Sequence, residues 1–288
     1  GSVSPSGAVQ LLEGQTLSVT ATEALDYDFV NWTTGAGAGH YESSSGTFVF
    51  TMPDGDTALT GHFSNNPASV YALTLAVNPG ASGTLDPAGP INLLAGQTID
   101  LTAAATGGNT FVNWTDGGVY VSGTSGFTYT MPASAKTLTA NFTDNASNIH
   151  TLTIAAAPAE GGSVSPSGAV QLLEGQTLSV SATAETGYDF VNWATGAGAG
   201  HYESGSGTFV FTMPDGDASL TGHFSNTPAA VYALTLAVNP GASGTLDPTG
   251  PINLLEGQTI DLTASATGGN TFVNWTDGGV YVSGTSGF

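Results

Sequence analysis

The chain has 288 residues, with 22 Asp and Glu against a single lysine, Lys136, and neither arginine nor cysteine. A formal charge of −21 excludes nucleic-acid binding and docking on an anionic membrane, which need Lys and Arg to meet phosphates; the missing cysteines exclude disulfides, thiolate metal sites and thiol nucleophiles. No apolar run approaches the roughly 20 residues that span a bilayer, so no membrane insertion is expected in this segment, and 40% hydrophobic residues suffice for packed cores.

Read from the N-terminus, the chain repeats itself. Residues Gly1–Phe63 recur as Gly162–Phe224 with nine differences, and Tyr71–Phe127 recur as Tyr232–Phe288 with three, both at an offset of 161. A weaker copy lies inside each unit, where Pro5-Ser-Gly-Ala-Val-Gln-Leu-Leu-Glu-Gly-Gln-Thr16 returns as Pro87-Ala-Gly-Pro-Ile-Asn-Leu-Leu-Ala-Gly-Gln-Thr98. Trp32, Trp114, Trp193 and Trp275 mark the beat. The pattern reads as four modules: A over residues 1–66, B over 67–146, A′ over 147–227 and B′ over 228–288. Tandem near-identity favours work in which copy number matters, such as reach, spacing or multivalent contact. The most similar copies are never neighbours, which guards against inter-domain misfolding.

The elements are short strands throughout. Thr47-Phe-Val-Phe-Thr51 in module A and Leu73-Thr-Leu-Ala-Val77 in module B are rich in the residues strands prefer. Module A′ reads in full as seven strands: 151–156, 163–165, 170–173, 177–184, 188–193, 208–212 and 219–224, with a Gly/Ala/Ser loop over 195–207. Glycine and proline are too evenly spread to leave a helical window. The expected fold is therefore all-β, a tandem array of small β-grasp-like or sandwich-like modules. Alternation puts Tyr188 and Phe190 inward with Val191 or Trp193, and the expected core is Tyr27, Phe29 and Trp32, with Phe111 and Trp114, Tyr188, Phe190 and Trp193, and Phe272 and Trp275 as their equivalents. Asp189 and Asn192 are expected to face out. Linkers of about six residues should make the array semi-rigid, with a reach on the order of 100 Å. Modules A and B′ are expected to be incomplete. A lacks the counterpart of 151–156, and B′ lacks those of 128–130 and 137–142. The chain opens in mid-pattern and reads as a piece of a longer repeat, whose open edges would pair end to end with further repeats or with copies of itself.

Over residues 152–224 the pattern runs Leu-Thr-Ile, then Gly-Gly-Ser-Val-Ser-Pro-Ser-Gly, Glu-Gly-Gln-Thr-Leu-Ser-Val-Ser-Ala-Thr, Gly-Tyr-Asp-Phe-Val-Asn-Trp, Phe-Thr-Met-Pro-Asp-Gly-Asp and Leu-Thr-Gly-His-Phe. It resembles the bacterial tandem repeats called divergent internalin-B-type B-repeats, the Listeria–Bacteroides repeat group. The resemblance covers essentially the whole chain, four times over. It implies small β-rich modules on secreted or surface-attached bacterial proteins, acting as stalks or adhesive arrays, and it carries no catalytic residues. The near-absence of Lys and Arg, and Pro53, Pro132 and Pro214 after each Met, depart from the usual pattern.

Candidate chemistry is sparse. Asp54-Gly-Asp56 and Asp215-Gly-Asp217 set two carboxylates on one turn, the oxygen chemistry that calcium takes. The loop is shorter than a calcium hand and module B has Ala133-Ser-Ala135 there, so a plain Asp/Gly turn is favoured and calcium is the weak alternative. His40-Tyr41-Glu42 and His201-Tyr202-Glu203 pair an imidazole with a carboxylate but lack a third ligand. His62 and His223 are expected at the surface. The tryptophans suit a core better than a sugar-stacking platform. Asn31, Asn113, Asn141 and Asn274 each open an Asn-x-Thr glycan acceptor pattern. No catalytic or cofactor-binding residue is expected. The reading is an extracellular, non-enzymatic stalk, fibre or adhesin shaft. Its rivals are a multivalent array for glycans or matrix, using the loops over residues 35–46 and 196–207, and accessory repeats of a larger secreted hydrolase.

Overall fold

The computed structural model describes residues 1–35, 39–196, 200–227 and 230–288. It divides into two compact units, Gly1–Ser147 and Asn148–Phe288, each with one A-type and one B-type module. Among the described residues the only helical elements are three-residue 3₁₀ turns; the rest of the regular structure is strand.

Module B shows the plan. Its eight strands are Val70–Asn78, Gly83–Asp86, Ile91–Leu94, Thr98–Ala105, Thr110–Asp116, Val119–Ser122, Gly126–Thr130 and Lys136–Thr143. The larger sheet has the order sixth, fifth, eighth, first, third; the smaller has seventh, fourth, second. All pairs are antiparallel except one: the first strand runs parallel to the last, from Leu73 opposite Lys136 to Asn78 opposite Asn141. The two sheets stack as a sandwich. Leu73, Ile91, Leu93, Trp114, Leu138 and Phe142 of the larger sheet close on Ile99, Leu101 and Ala103 of the smaller. The fourth strand shows why: Ile99, Leu101 and Ala103 are buried while Asp100 and Thr102 between them are exposed, the period-two pattern of a half-buried strand. Module A′ repeats the plan with Ile149–Ala157, Gly162–Ser165, Gly168–Leu173, Thr177–Ala184, Asp189–Thr195, His201–Ser204, Thr208–Thr212 and Ala218–Ser225. Its sixth strand falls inside the expected glycine-rich loop. His201–Ser204 carries little β propensity of its own, and the open edge of the fifth strand, which it pairs from Trp193 to Thr195, supplies the ladder that draws it in.

A bulge in the fifth strand builds the aromatic core. Phe29 and Trp32 are three residues apart, so strict alternation would send them to opposite faces. The register slips by one residue between Phe29 and Asn31, and again between Phe111 and Asn113 and between Phe190 and Asn192. Both rings then reach the core, with centroids 5.5 Å apart for Phe29 and Trp32. Trp32, Trp114 and Trp193 are fully buried. Opposite Trp193, a Cβ on Gly222 would stand 3.1 Å from the indole and 3.0 Å from Val164, so glycine makes room for the ring. Phe29, Phe111, Phe190 and Phe272 are partly buried against these rings.

Tyr27 departs from the expected core, being 42% exposed. Its counterpart Tyr188 is partly buried, lying 3.1 Å from where a Cβ on Gly161 would stand. Gly161 precedes the repeat equivalent of Gly1. Trp275 is likewise only partly buried. In module B′ the first strand is Val231–Leu234, four residues against nine in module B, and the fifth is Trp275–Asp277, three against seven. In module A, Val9 and Leu12, whose counterparts lie in the third strand of A′, are 44% and 73% exposed and in no strand.

Trp114→Ala should therefore cost about 3–5 kcal/mol as a buried aromatic truncation, and Trp275→Ala clearly less. Urea unfolding of the two variants, followed by near-ultraviolet dichroism, checks the order; equal losses would contradict the burial difference.

Candidate functional site

The most elaborated polar site lies where an A-type module meets the B-type module after it, and it occurs once in each unit. It starts from the fifth-strand bulge. With Trp32 turned into the core, Asn31 beside it points away from that core, opposite His62 in the ladder. Its counterpart Asn192 was expected to face out, yet both are fully buried. The cover is the turn between the third and fourth strands of module B. Asn31 Nδ2 donates to the carbonyl of Asn92 at 2.6 Å and to Gln97 Oε1 at 3.2 Å. Gln97 Nε2 donates back to Asn31 Oδ1 at 3.1 Å. Gln97 Oε1 also accepts from the Leu94 amide at 3.0 Å, which fixes the side chain before Asn31 arrives. The Asp100 amide donates to the Gly39 carbonyl at 3.2 Å, and Tyr41 packs on the core of module B.

The second unit repeats the arrangement. Asn192 Nδ2 donates to the carbonyl of Asn253 at 2.6 Å and to Gln258 Oε1 at 3.0 Å, and Gln258 Nε2 donates to Asn192 Oδ1 at 3.1 Å. The Asp261 amide donates to the Gly200 carbonyl at 3.1 Å. Burial leaves these amides no water to fall back on, so removing one partner costs about 1–3 kcal/mol through the group left unsatisfied.

Four of the five histidines lie at these two joints. His40 Nε2 stands 3.7 Å from Asp86 Oδ1, and His201 Nε2 stands 3.6 Å from Asp247 Oδ1. His62 and His223 were expected at the surface but are partly buried, and burial lowers both pKa values below the ordinary imidazole value. Each lines a cleft against the covering turn, of about 380 Å³ beside His62 and about 410 Å³ beside His223. His62 Nε2 shares a 2.9 Å hydrogen bond with Thr33 Oγ1. At the second joint Ala194 replaces Thr33, and Glu256 joins the lining where the first has Ala95.

The other candidates resolve into structural contacts. Asp217 Oδ1 accepts from the Thr151 amide at 2.7 Å, and Asp215 Oδ1 lies 3.6 Å from His150 Nε2. These carboxylates thus hold the start of their own module's first strand; Asp54 and Asp56 are exposed. Among the described residues no three His, Cys, Asp or Glu side chains gather closely enough to hold a metal ion. Glu42 and Glu203 accept from Thr34 Oγ1 and Thr195 Oγ1 at 2.8 and 3.0 Å. Of the glycan acceptor asparagines, Asn31, Asn113 and Asn141 are buried and Asn274 is exposed. Lys136 Nζ donates to Asp116 Oδ2 at 2.6 Å. The loops over residues 35–46 and 196–207 lie partly outside the described residues.

Two outcomes are expected of the joint. Asn31→Asp keeps an acceptor for Gln97 Nε2 but turns a second oxygen on the Asn92 carbonyl and Gln97 Oε1. Spin labels on Val49→Cys and Thr84→Cys, in a chain free of other cysteines, should give one narrow distance peak that Asn31→Asp abolishes while Trp32 stays buried. The second outcome concerns pH. His62 and His223 have lowered pKa values in the fold, so below about 6.5, the ordinary imidazole value, the unfolded chain holds more protons. Stability is then fully present above that pH and falls as pH drops through the lowered folded values. Thermal unfolding between pH 7.5 and 5 should show the decline, and a His62→Gln/His223→Gln variant should flatten it.

No curated protein sequence matches the chain. The profile of the divergent InlB B-repeat domain does, at residues 1–67, 73–146, 152–228 and 234–287. Its four matches fall on the four sandwich modules and cover nearly all of the sequence, and the chain is therefore a tandem array belonging to the divergent InlB B-repeat family.

Proposed function

We propose that the chain is the shaft of an extracellular stalk, fibre or adhesin on a bacterial surface, a spacer with no catalytic role. Repeats of this type occur in bacterial surface or secreted proteins. The observation that carries the reading is the recurrence of one hydrogen-bonded joint, Asn31 with Gln97 and Asn192 with Gln258. Evolution of a binding site would concentrate chemistry in one place. Here the best-made polar contacts hold one module to the next. The surface suits exposure outside the cell, since Lys136, ion-paired to Asp116, is the only site for a trypsin-like protease. Further repeats, or copies of the chain end to end, would extend the shaft. The modules would need no cofactor, calcium at the Asp-Gly-Asp turns being the weak exception.

The rival reading is a multivalent glycan or matrix binder, with accessory repeats of a secreted hydrolase as the third. To separate them, the chain is set between a cell-wall anchor and a fluorescent tip, with one, two or three copies in tandem. A shaft raises the tip with each copy and gives no saturable binding on glycan or matrix-protein arrays. Saturable binding that steepens with copy number would establish the binding array instead.

A further inference from the structure

We infer that the complete modules carry tension in shear, through the parallel ladder between their first and last strands. Only the purpose of such strength rests on the shaft reading; the strength itself follows from strand topology. In module B the chain enters at the start of Val70–Asn78 and leaves at the end of Lys136–Thr143. The two strands are neighbours and run the same way, paired from Leu73 opposite Lys136 to Asn78 opposite Asn141. Entry and exit therefore lie at opposite ends of one ladder. A pull on the chain drags the strands past each other along their length, so every rung is loaded at once and must yield together. An antiparallel hairpin pulled at its open end has the opposite geometry, with rungs that open one after another.

Three features reinforce the ladder. Its strands lie inside the larger sheet, the last between the fifth and the first. Leu73, Leu138, Ala140 and Phe142 along it are fully buried, so water cannot readily replace a stretched rung. At the far end Asn78 Nδ2 donates to Asn141 Oδ1 at 3.1 Å, adding a side-chain bond across the same two strands. Module A′ has the same layout, from Leu152 opposite Ala218 to Ala157 opposite His223. There the Asp217 carboxylate takes the Thr151 amide at 2.7 Å, tying the last strand's leading turn to the first strand just before the ladder begins. Resistance of this kind is kinetic: it raises the barrier to rupture under load.

The absence of cysteine makes a direct test simple, since handles go only where a cysteine is introduced. In the full chain, Pro67→Cys with Asp144→Cys, both exposed, pulls module B in shear. Pro67→Cys with Ser134→Cys, also exposed, pulls the same two strands from the same end and peels them apart. Optical-trap or force-microscope extension should give a rupture force severalfold higher for the first pair at equal loading rate. Equal forces, or a higher force for the peeling pair, would overturn the inference. Ser147→Cys with Asn226→Cys, and Ser147→Cys with Pro214→Cys, repeat the comparison in module A′ if a handle disturbs module B. The result is separable from the shaft reading: a chain that peels and shears alike can still act as a spacer, and a chain strong in shear can still prove to be a binding array.

Discussion

Everything in a module depends on its last strand lying between its fifth and its first. The chain contains its own control. Modules B and B′ differ at three positions over Tyr71–Phe127 and Tyr232–Phe288, and in B the eighth strand lies between the fifth and the first. With the eighth strand in place, the first strand is nine residues long and Trp114 is fully buried. In B′ the near-identical sequence keeps four residues of first strand and a partly buried Trp275. Module A shows the same dependence from the other side. Its counterpart residues, Gly7–Leu12, stay outside the sheets, whereas Gly168–Leu173 in A′ pair along Ile149–Ile154. Local propensity is identical within each comparison, so the difference is tertiary. These strands are marginal alone, and a non-local partner stabilises them.

The joint between modules works on a different principle from the cores. The cores are apolar and aromatic, and their contribution scales with area. The joint centres on two primary amides, which hydrogen-bond well only in the right pose. A buried amide pair adds modest net stability, but it penalises every pose that leaves an amide unpaired. Geometry is thus set by a contact that tolerates little error, while the surrounding packing, such as Tyr41 on the core of module B, supplies the area. The histidines add sensitivity to acid at the same place, because a proton on partly buried His62 must be held where solvation is poor.

The sequence revealed the modules, the strand-rich character and three of the four tryptophans as core residues, because period and composition are local signals. Three features could not be read so directly. The bulge between Phe29 and Asn31 breaks the period-two rule on which inward and outward faces were assigned, and only the Phe-x-x-Trp spacing hinted at it. The burial of Asn31 and Asn192 depends on a neighbouring module, and a polar residue facing out of its own sheet carries no mark of what covers it. The recurrence of Gly-Gln four times over, at Gln15, Gln97, Gln176 and Gln258, was the available signal for the other half of the contact. The sixth strand was hidden because its residues favour no ladder until the fifth strand offers an edge. Tyr27 was misplaced for a simpler reason: its cover in the complete copy, Gly161, lies before the repeat begins.

The joint also has a direction. It takes an asparagine from the fifth strand of one module and a glutamine from the third-to-fourth turn of the next, two unlike patches on two unlike faces. Such a contact is heterologous, with no two-fold axis relating its halves. An isologous contact consumes the same patch on both partners and stops at two. In each unit the A-type module supplies the asparagine, Asn31 or Asn192, and the B-type module the glutamine, Gln97 or Gln258. The contact chemistry therefore gives each pair of modules a polarity, with the asparagine always on the first and the glutamine on the second.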